Sequence, residues 1–371
     1  MNDRRVDRVL ARLQEQGVSQ MILTDPSSIF YLTGKMITPG SRLLALYISG
    51  EGNHRLFVNR LFPMNEDLGV EVCWFSDTDD ICRMMADCTD HGLALGVDRK
   101  MTAEHLLALQ GLGAGSSYVN GSGCVNQVRG QKDEEEQRKM IEASAINDRA
   151  MEQFKNLVKA GVTEEALARQ VELIYKSLGA DGNSFQPHIA FGANAADPHH
   201  RPDGTVLKEG DCVLFDVGCR KDYYCADMTR TFFYKYADDE ARKVYDTVLR
   251  ANLAGEAAIH PGARFCDIDR AARGLIEQAG YGPYFIHRLG HSIGIDVHEP
   301  GDANTANTDP VLPGNVFSCE PGVYLAGRVG VRIEDLCMVT EDGVQILNHY
   351  PKETSGDRLT GGATEITIKL T

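Results

Sequence analysis

Short apolar runs at 20–24, 43–49, 55–59, 70–75 and 93–98 carry the β-branched and aromatic content of strands. Stretches of helical spacing at 4–16, 79–89 and 103–109 lie before, between and after them, so the first third of the chain predicts a compact α/β domain. Asp25-Pro26-Ser27-Ser28 reads as a turn, and no catalytic constellation falls in this region, where His54, His91 and His105 lie far apart. A composition shift follows. Gly121-Ser122-Gly123 and the charged run Arg129–Glu136 read as a linker entering a helix, whose acidic first turn suits the positive end of the macrodipole. The expected domains are residues 1–128 and 129–371.

The pattern beyond the linker repeats. A helix over 134–159 ends at Ala160-Gly161, and one over 164–178 places Leu167, Val171, Ile174 and Leu178 on one stripe. A helix over 239–259 ends near Pro261-Gly262, and one over 267–279 aligns Ile268, Ala272, Leu275 and Ala279. Each pair precedes an apolar run ending in an acid: Val206 to Asp216 in the first half, Val311 to Glu320 in the second. The fold class expected is α/β with two domains, the second a pseudo-twofold α+β unit.

Both halves then predict acidic β-hairpins. Cys212–Asp216 and Ala226–Phe233 flank the polar turn Arg220-Lys221-Asp222, and a turn centred between Lys221 and Asp222 sets Asp216 directly opposite Asp227. Opposed residues have Cβ atoms roughly 4.5–5.5 Å apart, so two ionised carboxylates on such apolar strands repel unless a cation lies between them. Glu320 and Glu334 belong to the second hairpin, fourteen positions apart across Pro321-Gly322 and a turn at Ala326-Gly327-Arg328. Convergence of the hairpins would bring four carboxylates to one point. Between them lie His287, His291 and His298 among glycines that permit close backbone approach. One neutral imidazole with four carboxylates is an oxygen-rich set that suits Mn²⁺ best, with Co²⁺, Fe²⁺ or Zn²⁺ as alternatives. Such a set would hold two ions about 3.5–4 Å apart.

Composition narrows the partners. The net charge of −15 over 371 residues supplies no basic stripe for a phosphate backbone, so nucleic acid is not expected. No run of about 18 apolar residues could span a bilayer, and the charged amino-terminal stretch lacks a signal-peptide core. Ten cysteines without a Cys-x-x-Cys pair read as free thiols in a reducing cytoplasm.

Residues 135–350 resemble the pita-bread metallopeptidases, the family of prolidase, aminopeptidase P and methionine aminopeptidase. The matching motifs are Asn194–Pro198 leading to His199, Phe215-Asp216-Val217-Gly218, Ala226–Thr231, Gly290-His291-Ser292-Ile293-Gly294, His298-Glu299, Glu320–Tyr324 and Val331–Asp335. The amino-terminal domain resembles the creatinase-like domain of the proline-directed members, and it is expected to shape specificity or assembly.

The resemblance implies that Asp216 chelates one metal, that Asp227 and Glu334 bridge two, and that His291 and Glu320 bind the other. Glu320 matches a carboxylate that passes a proton from the bridging hydroxide's parent water to the leaving nitrogen. His199, chosen over its neighbour His200, and His298 match histidines that hydrogen-bond substrate and oxyanion, with a protonated His298 adding positive charge. Arg332 and His287 match groups that bind substrate. The implied activity is cleavage between an N-terminal residue and proline in peptides or dipeptides, by a cytoplasmic homodimer.

Pro300–Thr305 holds no cation where some prolidases place an arginine, so longer peptides are expected to be accepted beside dipeptides. Creatine- or ectoine-hydrolysing relatives offer a second enzymatic reading, and a non-catalytic interaction module a third. Creatine hydrolases dispense with the metals and non-catalytic modules lose ligands, whereas all five are present here.

Overall fold

The computed structural model describes residues 1–352 and the backbone of 358–359, and the closing strand expected over 364–370 lies outside them. The chain divides into two compact units, Met1–Arg129 and Gly130–Thr371.

In the first unit, β1 (Gln20–Leu23), β2 (Ala45–Ser49), β3 (Arg55–Asn59), β4 (Glu71–Phe75), β5 (Ala94–Val97) and β6 (Ser117–Asn120) form one mixed sheet in the order β4-β3-β2-β1-β5-β6. The helices are α1 (Asp3–Glu15), α2 (Pro26–Thr33), α3 (Ile81–Ala86), α4 (Ala103–Gly111) and α5 (Ser122–Gly130). Two of them correct the sequence reading. The Asp25 carboxylate accepts the Ser28 amide, so the expected turn is the N-cap of α2, with Pro26 in its first turn. The linker expected from Gly121-Ser122-Gly123 and Arg129–Glu136 is largely taken up by α5 and the start of the next helix at Glu134, leaving residues 131–133 to connect the units.

The second unit is built twice over. Asp133 and Glu136 close a capping box at the start of α6 (Glu134–Asn156), and Thr163 caps α7 (Glu164–Ser177). Their apolar faces, with Ala150, Phe154, Val171 and Tyr175, join Ile189, Phe215 and Met228 in one core. Asp238 caps α8 (Asp239–Ala257), which is followed by α9 (Phe265–Gln278). Val244, Val248, Ile268 and Ala272 form the second core with Phe317, Val323 and Val331. The first core packs against the first hairpin, whereas the second takes in its own hairpin together with Cys212, Leu214 and Phe233 of the first.

Each hairpin has one continuous register with an interruption. In the first, β9 (Cys212–Val217) pairs with β12 (Met228–Tyr234), and the tip strands β10 (Cys219–Lys221) and β11 (Tyr224–Cys225) pair in the same register. The turn is Asp222-Tyr223, both with positive φ, one residue later than expected. Asp216 is therefore opposite Thr229, and Asp227 is its diagonal neighbour. Moving a turn by one residue shifts the pairing by two, so both aspartates keep the same face. β7 (Gly182–Asn183) pairs with β10, and β8 (His188–Phe191) lies alongside β9, with His188 opposite Asp216.

The second hairpin turns at Gly327, as expected. Its outer strands, Val316–Cys319 and Asp335–Val339, belong to one sheet, while its tip strands, Gly322–Leu325 and Val329–Arg332, form a separate ribbon. Glu320 and Glu334 occupy the gap between the two ladders. Their amides leave the hairpin, Glu320 N–H donating to Leu289 O at 2.8 Å and Glu334 N–H to Thr229 O at 3.1 Å. That second bond ties the hairpins together.

Candidate metal centre

Thr229 holds the middle of the cluster. Its hydroxyl donates to Glu334 Oε2 at 2.7 Å and accepts from Arg332 Nε at 3.0 Å. Arg332 reaches on from Nη2 to Asp216 Oδ2 at 2.5 Å and from Nη1 to the Tyr324 hydroxyl at 2.8 Å. Asp227, His291 and Glu334 each offer a ligand atom within 4.8 Å of the others, and all three are buried. His291 Nε2 lies 3.8 Å from Asp227 Oδ2 and 3.5 Å from Glu320 Oε1. All five residues expected as ligands thus line one locus.

Electrostatics make this cluster unstable by itself. Burial and the neighbouring carboxylates hold Asp227 and Glu334 well above the usual carboxylate range, and burial raises Asp216 and pushes Glu320 up to about 7. Two unit charges about 4 Å apart repel by roughly 4 kcal/mol at an effective dielectric near 20, and Arg332 is one cation among four acids. Asp227 Oδ1 is buried without a hydrogen-bond partner. Burial also lowers His291 to about 3, which keeps its ring neutral. Its Nδ1 is 3.3 Å from the Ser292 carbonyl, which can only accept, so the proton sits there and the Nε2 lone pair faces Asp227 and Glu320. Lone pairs converging without hydrogens between them are what a cation requires. The residues present therefore fit divalent ions.

Backbone crowding fixes the histidine segment. A Cβ on Gly290 would come 1.7 Å from Ser318 O, so only glycine allows His291 to approach that strand. Glu299 accepts from Ile295 N–H at 3.0 Å and pairs with buried Lys132 Nζ at 2.8 Å, which holds the loop carrying His298. The His298 ring centroid is 4.2 Å from that of His291. Burial and the Arg288 charge lower the His298 pKa, so its ring is neutral near pH 7, and the protonated form expected from sequence is disfavoured.

The remaining expected residues are placed differently. His287 accepts from the Tyr324 hydroxyl at 2.8 Å through Nε2 and donates through Nδ1 to Arg288 O at 2.7 Å, ending a chain that runs back to Arg332. Burial lowers it to about 4, leaving it neutral. His199 is exposed, with its backbone N–H on Asp197 Oδ1. His200, expected at the rim, instead points inward, its Nε2 2.6 Å from the fully buried Glu164.

Sequence reasoning missed Thr229, Tyr324 and His188. The first two lie within quoted motifs, but only the register shows that they link the acids. His188 is on the same face as Asp216, its Nε2 buried without a partner, and burial with the nearby Arg332 charge lowers it to about 3.

Residues 138–341 match the model of metallopeptidase family M24 and residues 5–131 that of the creatinase/prolidase N-terminal domain. The putative dipeptidase YkvY of Bacillus subtilis (strain 168) is 36% identical over 359 residues, covering 94% of this chain and 98% of that protein. A recombinant prolidase from Thermococcus sibiricus superposes with a TM-score of 0.89 at 32% identity, over 95% of this chain and 98% of that one. The dipeptidase PepE from Mycobacterium ulcerans gives 0.88 at 31% identity, over 95% and 96%. Hairpins that converge carboxylates and a neutral imidazole, in a fold shared over about 95% of the chain with prolidases and dipeptidases, are those of a hydrolase, and the chain belongs to metallopeptidase family M24.

Proposed function

We propose that this chain removes an amino-terminal residue from short peptides whose second residue is proline, using two divalent ions held by Asp216, Asp227, His291, Glu320 and Glu334. The observation that carries this reading is the buried, unpaired Asp227 Oδ1 among raised carboxylates and a lone-pair-directed His291. Mn²⁺ suits four oxygen donors and one imidazole best. Bound there, the ions would make water acidic enough to attack a carbonyl near neutral pH and would polarise that carbonyl.

The chain's own groups do the rest. Glu320, whose Oε1 accepts from Ser318 Oγ at 3.2 Å and lies 3.5 Å from His291 Nε2, is the carboxylate placed to take a proton and return it to the leaving nitrogen. The nitrogen preceding a proline residue's ring carbons carries no hydrogen and leaves poorly as an anion, so this proton return matters most for a proline substrate. Neutral His298 can donate to the oxygen that gains charge, and exposed His199 lies on a loop able to meet substrate. Arg332 holds Asp216 and Thr229 in place through a rigid donor fork.

The test is a kinetic comparison of Ala-Pro, Ala-Pro-Ala and Ala-Ala with Mn²⁺ supplied. Cleavage of the proline peptides with little or none of Ala-Ala is expected, and preference for Ala-Ala would overturn the proposal. His298→Ala should lower kcat about 10- to 1,000-fold while metal content, read by elemental analysis, stays at the wild-type value. Loss of metal in that variant would make His298 a ligand.

A further inference from the structure

Behind the acidic cluster, on the side away from the candidate ligands, the chain returns as a strap. Arg230 follows Thr229 on β12 and so points to the opposite face, where it is 1% exposed. All five of its N–H groups are used. Nη1 donates to Thr229 O at 2.9 Å and Glu334 O at 2.7 Å, and Nη2 to Asp335 Oδ1 at 2.7 Å. Nε and Nη2 both donate to Tyr350 O, at 3.2 and 2.8 Å. The carbonyls it grips thus belong to a candidate ligand and to the threonine that holds that ligand.

A second arm starts two residues later. Lys352 Nζ lies 2.8 Å from Asp335 Oδ2, 2.7 and 2.8 Å from the Glu256 oxygens, and 2.9 Å from Asn252 Oδ1. Asn252 Nδ2 in turn donates to Cys319 O at 2.9 Å and Ile333 O at 3.4 Å, the residues just before Glu320 and Glu334. The strap is itself pinned. Asp148 accepts the His349 and Tyr350 amides at 2.7 and 3.1 Å, the Tyr350 hydroxyl donates to Glu152 at 2.9 Å, and the Tyr245 hydroxyl to Lys352 O at 2.6 Å.

We propose that His349–Lys352 is a working part of the metal centre, holding through Arg230 and Lys352 the backbone that carries Glu320 and Glu334, and so setting how tightly divalent ions are bound. The inference rests on reading the cluster as a metal site. Carboxylates that repel one another stay converged only if their backbone is held from outside the cluster, and groups that orient ligands are worth about 10- to 100-fold in metal affinity. Arg230 and Lys352 are therefore positioning residues, distant from any reacting atom.

The experiment measures Mn²⁺ affinity of the full chain by competition with a chelating fluorophore. Lys352→Met is expected to raise the Kd about tenfold or more, and Asp148→Asn, which loosens the strap without removing a buried cation, by a smaller factor. Val171→Ala, on the buried face of α7, should melt at a lower temperature with an unchanged Kd. If Lys352→Met does not fold, Asp148→Asn decides alone. Values for the strap variants within twofold of wild type, or no larger than the core variant's, overturn the proposal and leave the metal site standing. A wild-type chain that binds no Mn²⁺ overturns both.

Discussion

Asp227→Asn or Glu334→Gln is expected to remove at least one bound ion per chain and to cut turnover of a proline peptide about a thousandfold or more, roughly 4 kcal/mol of transition-state stabilisation. Both side chains are buried and converge with His291 within 4.8 Å. An amide keeps the shape of the carboxylate but gives up its charge and aims hydrogens where a cation would sit. Loss of activity through misfolding would look similar, and stability separates the two. In the chelated protein, neutralising one acid relieves repulsion from the others, so each variant should melt above wild type even as it loses metal. Retention of both ions at a normal rate would show that these residues do not bridge.

Much of this cluster was legible in the sequence because it is carried by hairpins. Apolar strands broken by single acids can place those acids only on one face or the other, and the face survives a turn displaced from Lys221-Asp222 to Asp222-Tyr223. What was lost is the pairing: Asp216 faces Thr229, and the hydroxyl linking Glu334 to Arg332 follows from that register alone. The α2 helix was hidden because Ser28 to Thr33 are all buried, so no apolar-polar alternation marks its face. In α5, glycines at 121 and 123 read as breakers, yet Cys124, Val125 and Val128 pack inward and override local propensity. Choosing between His199 and His200 required the fold, since only contact with buried Glu164, far earlier in the chain, tells the two rings apart. Arg230 gave no signal of its own: an arginine within a strand becomes meaningful only when Tyr350, 120 positions on, supplies its partner.

Chelation should make stability fall as pH rises from about 6.5 to 8, whereas metal-loaded protein should hold steady or gain. Asp227 and Glu334 are held well above the usual carboxylate range by burial and mutual repulsion, and Glu320 and Glu256 are pushed up to about 7, chiefly by burial. Their unfolded counterparts are ionised throughout this window. The folded, metal-free chain therefore binds more protons than the unfolded one, and each carboxylate still protonated costs about 1.4 kcal/mol of stability per pH unit as pH rises. Stability from such groups is complete below their ordinary pKa and is lost as pH climbs through the raised one. The buried histidines act oppositely but lower down. His188 and His291 are shifted to about 3 and His287 to about 4, so they favour the fold as pH rises only until the unfolded imidazoles lose their protons near 6.5. Buried thiols such as Cys225, held far above their usual range by burial, reinforce the loss only above about 8, where unfolded cysteines begin to ionise. Ions displace the protons from the cluster, so binding tightens with pH and stabilises the fold by mass action in the same window. Melting curves in EDTA and in excess Mn²⁺ at pH 6.5, 7.2 and 8 should diverge by a widening margin. Parallel curves would mean that the four carboxylates are already ionised without metal, and that the cluster is held by Arg332 and hydrogen bonds instead of awaiting a cation.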